Sequence, residues 1–98
     1  MAYTITYSDR FKAQLRGLDG RDRNNIEKSV NKYLRHQPDM ESNKRRRLCP
    51  NPLADWELCL RNWRVLYNVY ADEVEVVIVV LGKKDRNKFY IDGEETTL

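Results

Sequence analysis

The sequence predicts an α+β fold: a single small domain whose antiparallel sheet carries a two-helix hairpin on one face. Three observations lead there. Two stretches near the N-terminus space their apolar residues for helices. Three stretches beyond residue 55 alternate, or run continuously apolar, as strands do. The 98 residues suit one domain over 1–98, with one core and a net stability of about 5–10 kcal/mol. Helices and strands of this kind each have one apolar face, and laying the hairpin on the sheet buries both.

The elements follow in order. Residues 2–7, AYTITY, alternate small or β-branched residues with Tyr3, Ile5 and Tyr7, and read as a first strand. Ser8 is placed to cap a short helix bearing Phe11, Leu15 and Leu18. Gly17 to Gly20 interrupts it, and Asp19 is placed to cap the next. In that second helix Ile26, Val30, Tyr33 and Leu34 form one stripe, and Pro38 ends it. Residues 39–55 are polar, contain Pro50 and Pro52, and read as a loop.

Strands are expected at 56–61, 63–70 and 74–81, with a short edge strand at 88–91. The order is β-α-α-β-β-β with that last short strand. Trp56, Leu58 and Leu60 share one face of the first of these, and Glu57, Cys59 and Arg61 the other. In VEVVIVVL the alternation is lost after Glu75, as in a central strand covered on both faces.

Composition narrows the function. The 18 Lys and Arg against 15 Asp and Glu leave a net charge of +3. Lys44, Arg45, Arg46 and Arg47 form one basic cluster on the loop; Lys83, Lys84, Arg86 and Lys88 form another in GKKDRNKFY. Segregated cations suit a polyanion such as nucleic acid, and equally a solvated surface. Cys49 and Cys59 lack metal-ligand spacing, His36 stands alone, and no glycine-rich phosphate loop is present. No metal, other cofactor or membrane partner is expected. The longest apolar run falls far short of the ~20 residues that span a bilayer, so the default is a cytoplasmic protein with reduced thiols.

Strand parity puts Glu57, Cys59 and Arg61 opposite the apolar face, and Arg64 early in the next strand. If the GKKDRNKFY segment folds over that polar face, Arg61, Arg64, Lys84 and Tyr90 converge. Cations beside an aromatic ring suit RNA phosphates and unstacked bases. Cross-strand pairing of the arginines, for example with Glu57, is the alternative.

The segments SNKRRRL and WELCLRNWRVLYNVYADEVEVVIVVLGKKDRNKFY, in this order of elements, resemble the RelE/ParE superfamily of bacterial toxins, nearest the RelE branch. The resemblance runs from AYTITYSDR through KFY. It implies a RelE-like toxin neutralised by a cognate antitoxin, and an endoribonuclease that cuts mRNA in the ribosomal A site. It implies that Arg64 stabilises the scissile phosphate, that Lys84 is a second cation, and that Tyr90 activates the 2′-hydroxyl or stacks on a base. RNA contacts are expected from Lys44, Arg45, Arg46, Arg47, Arg61, Lys83, Arg86 and Lys88. The pattern departs at Glu57 and Cys59, where the RelE branch carries lysines. Glu57 is an alternative base. Two other readings share the fold: a ParE-like inhibitor of DNA gyrase that cuts no RNA, and a family member without activity.

Overall fold

The structure, a computed structural model, describes residues 2–98. Strand β1 (Thr4–Tyr7) leads into helices α1 (Asp9–Arg16) and α2 (Gly20–Leu34). Strands β2 (Arg45–Arg47), β3 (Trp56–Leu60), β4 (Trp63–Tyr70), β5 (Glu75–Asp85), β6 (Lys88–Ile91) and β7 (Glu94–Glu95) follow. A single 3-10 turn, Ala71–Glu73, joins β4 to β5.

The fold class is the expected one, and both helix starts form as the sequence suggested. The Ser8 hydroxyl accepts from the Phe11 amide at 3.0 Å, and the Asp19 carboxylate accepts from the Asp22 amide at 2.8 Å.

The sheet orders its strands β2-β3-β4-β5-β6-β7, with β1 against β5. All pairs are antiparallel except β1–β5, which is parallel, so the sheet is mixed rather than purely antiparallel. Two other expectations are corrected. The arginines of the presumed 39–55 loop form β2, paired with β3 through Arg45–Leu58, Arg46–Glu57 and Arg47–Trp56. The stretch between the strands expected at 74–81 and 88–91 is no open loop either: β5 continues through Asp85 and turns tightly into β6.

Strands β1 and β6 share one edge of β5. The first lies opposite Glu75 to Ile78, the second opposite Lys83 to Asp85. Between them the β5 backbone lacks a strand partner, and side chains supply one. Ser8 Oγ donates to the Val79 carbonyl at 2.6 Å. The Gln14 amide accepts from the Leu81 N–H at 2.7 Å and donates to the Leu81 carbonyl at 2.8 Å. Gln14 also donates to Asp92, which pairs with Arg10 at 3.1 Å. Those bonds, the Gln14 one first, hold the Asp92 carboxyl below its ordinary range. Helix α1 is thereby tied to the upper end of the sheet.

The main core fills the space between helices and sheet. Phe11, Ile26, Val30 and Leu34 meet Leu58, Val65, Tyr67, Val76 and Ile78, all essentially without exposure. The Tyr67 hydroxyl donates to the Pro38 carbonyl at 2.7 Å, and burial pushes its pKa far up. A second, smaller cluster lies on the far face: Ala54, Leu66, Val80 and Ile91, with Leu48, Leu53 and Phe89 packed against it. The register shifts between Leu66 and Tyr67 by skipping Val79. That bulge moves Val80 to the far face and Leu81 to the helix face, which is why the Val/Ile run shows no clean alternation.

Candidate functional site

The β3–β4 hairpin turns on Arg61 and Asn62, and Arg61 takes φ 53°. Positive φ is uncommon for an arginine and costs about 1–2 kcal/mol. Its effect here is to aim a carbonyl. Arg64 Nη1 donates to the Arg61 carbonyl at 2.6 Å and to the Trp63 carbonyl at 2.9 Å. One guanidinium nitrogen is thus committed to the turn. The Nε and Nη2 edge remains, a planar fork matched to two oxygens of a phosphate. Among the described residues no carboxylate comes within ion-pair distance of Arg64.

Pairing fixes which side chains share the Arg64 face. Cys59 stands opposite Arg64, and Arg64 opposite Gly82. Lys84, two residues along β5, lies on the same face at diagonal spacing, about 7–8 Å away in such pairs. Its amide donates to the Asn62 carbonyl at 2.6 Å, so backbone bonds hold Lys84 and Arg64 to one turn.

Glu57 is the carboxylate of this face. Its side chain is 12 % exposed and lies 3.8 Å from Arg46. It also accepts from Cys59 Sγ at 3.5 Å. Burial first, and Glu57 second, push the Cys59 thiol up, against the pull of Arg64. Cys59 therefore stays a protonated thiol and a poor nucleophile.

Tyr90 does not join them. It pairs with Lys83, on the helix side, while its neighbour Phe89 pairs with Lys84 and packs on the far face. Tyr90 instead lines a hollow of about 610 Å³ with Trp63, Lys83, Leu18 and Gln14. Lys83 Nζ sits over the Trp63 ring at 5.1 Å. The expected convergence of Arg61, Arg64, Lys84 and Tyr90 thus holds for Arg64 and Lys84 and fails for Tyr90. Arg61 stands at the exposed turn between them and a second hollow.

The other sequence-chosen cations divide. Arg45 donates to the carbonyls of Met40 and Tyr33, which pins β2 to the end of α2. Arg46 pairs with Glu57, Arg47 lies over the Trp56 ring at 5.5 Å, and Lys88 meets Glu95 at 3.9 Å. Lys44 lines the second hollow, and Arg86 stands at the β5–β6 turn with φ 51°. Sequence reasoning missed Gln14 and the Arg61 carbonyl. Neither has a compositional signal, since one is a lone amide and the other main chain.

No sequence-family model matches this chain, and no curated protein does. Solved structures do. A chain of the RelBE2 toxin–antitoxin complex from Mycobacterium tuberculosis has TM-score 0.74 at 17 % identity, covering 86 % of this chain and 93 % of that one. At that identity the likeness is one of fold. The isolated E. coli RelE toxin has TM-score 0.69 at 25 % identity, covering 87 % of each chain. A chain of the intact E. coli RelBE complex has TM-score 0.68 at 26 % identity, covering 87 % of this chain and 100 % of that one. The likenesses to RelE at 25–26 % identity place this chain in the RelE-like superfamily.

Proposed function

We propose that this chain is the toxin of a toxin–antitoxin pair, and that it cuts message in the ribosomal A site. The likeness to RelE and to RelBE complexes supports the first part. One observation carries the second: Arg64 is braced by two turn carbonyls with its fork free, beside Lys84 and, among the described residues, without a carboxylate at ion-pair distance.

The 2′-oxygen attacks the adjacent phosphorus while the bond to the 5′-oxygen breaks. The products are a 2′,3′-cyclic phosphate and a 5′-hydroxyl, and the 2′-proton is taken up by a base. The Arg64 fork donates to the two non-bridging oxygens, where charge accumulates. Lys84 adds a second charge on the same face and protonates the departing oxygen. Glu57 is the base this face offers. To act, it gives up its pair with Arg46. An antitoxin neutralises the toxin by laying an acidic segment across these cations.

The test is RNA 5′-end mapping after brief induction in a bacterium, with a reporter in translatable and untranslatable forms. The expected result is new ends within codons of the translated form only, lost with Arg64→Ala. Growth arrest without new ends would refute the nuclease assignment. Cleavage unchanged by Glu57→Gln would remove Glu57 as the base.

A further inference from the structure

A second basic surface lies beside the Arg64 turn, between α2 and the β3–β4 hairpin, in a hollow of about 540 Å³. Arg21, Asn25 and Lys28, at i, i+4 and i+7, line its helical wall. That stripe adjoins the buried Ile26 and Val30, so the packing of α2 fixes which way it faces. Lys44 and Arg61 line the opposite wall, with Trp63 between the hollow and the sheet. Asp22 is the one acid among the lining residues. Among the described residues none of the four cations has a carboxylate within ion-pair distance.

We infer that this groove holds the phosphodiester backbone of the substrate RNA strand next to the segment on Arg64. The inference rests on the nuclease reading of the Arg64 face and extends it around the turn. Continuity carries it. Arg61 lines the groove, and its carbonyl holds the Arg64 guanidinium at 2.6 Å, so one turn serves both surfaces. Arg21 and Lys28 stand two helical turns apart, about 10.5 Å along the axis, which lets them engage different phosphates. The half-buried Trp63 lines the groove with an aromatic ring against which a base can stack. A strand so held meets cations at Arg64, Arg61, Lys44, Lys28 and Arg21 in turn.

The probe is a 12-nucleotide 2′-O-methyl RNA, which lacks the nucleophile and cannot be cut. Its affinity is measured across salt concentrations for wild type, for Arg21→Gln with Lys28→Gln, and for Lys12→Gln with Arg16→Gln. The last pair removes the same charge from exposed positions of α1. The groove variant is expected to flatten the slope of log K against log salt by about 1.4, two contacts at about 0.7 each, while the α1 variant keeps the wild-type slope. Equal slopes for wild type and groove variant would overturn the inference, as would equal flattening by both variants. The outcome is independent of cleavage. An unchanged slope in a protein that cuts RNA sinks the groove alone; a flattened slope in one that does not cut sinks the nuclease reading alone. On programmed ribosomes, thiouridine placed only in the message should cross-link to the groove; message cross-links that map only to other parts of the protein would overturn the assignment to the substrate strand.

Discussion

The two faces of the sheet are built by the same strands and use them differently. On the helix face twelve buried residues form one continuous core beneath α1 and α2. On the far face only four do, under the short segment around Leu53 and the ring of Phe89. Along β4 and β5 the buried part of the smaller cluster ends at Leu66 and Val80, with the Phe89 ring over Gly82, and the strand ends carry Arg64 and Lys84. A deep core sets the fold, and a shallow one frees part of a face for cations without asking them to be desolvated.

The contrast predicts effects of graded size. Leu58 is fully buried on the helix face. Leu58→Ala should lower stability by about 3 kcal/mol in denaturant unfolding, near the middle of the range for such truncations. A loss under about 1 kcal/mol would mean that the helix face is no tighter than the far one. On the far face, a Cβ at Gly82 would run into the Phe89 ring. Gly82→Ala should cost about 1–3 kcal/mol, because the ring must move or the strand must bend. A neutral Gly82→Ala would show the far cluster to be soft, and the placement of Lys84 beside it with it.

Smallest is a gain. The β5–β6 hairpin turns on Arg86 and Asn87, both at positive φ, 51° and 69°. Such two-residue turns favour Asn-Gly. Arg86→Asn with Asn87→Gly should raise stability by about 0.5–1 kcal/mol while touching neither core.

That turn also explains why one part of the site was hidden in the sequence. The helices, their caps at Ser8 and Asp19, and the alternation of β3 and β4 were legible, because each follows from local spacing. GKKDRN reads as a loop because Gly82 looks like the end of the Val/Ile strand and the charged run after it does not alternate. The chain accepts two strained residues there and continues β5 into β6, which fixes Tyr90 opposite Lys83 and off the Arg64 face. Strand β2 was invisible for a different reason. Three arginines have no strand signature, and their conformation comes from pairing with β3 and from the reach of Arg45 to Tyr33. The role of Gln14, which completes the β5 edge between β1 and β6, depends on two distant strand ends and has no local cue.

The central claim is that the chemistry sits on the far face, at Arg64, and not on the helix face, at Tyr90. Single-turnover cleavage on programmed ribosomes tests it most directly, with Arg64→Ala and Tyr90→Phe compared at matched folded stability. The account predicts that Arg64→Ala slows cleavage by about 10²–10³-fold, as loss of a transition-state donor does, while Tyr90→Phe stays within a few-fold of wild type. Equal damage from Tyr90→Phe, or full activity in Arg64→Ala, would contradict it.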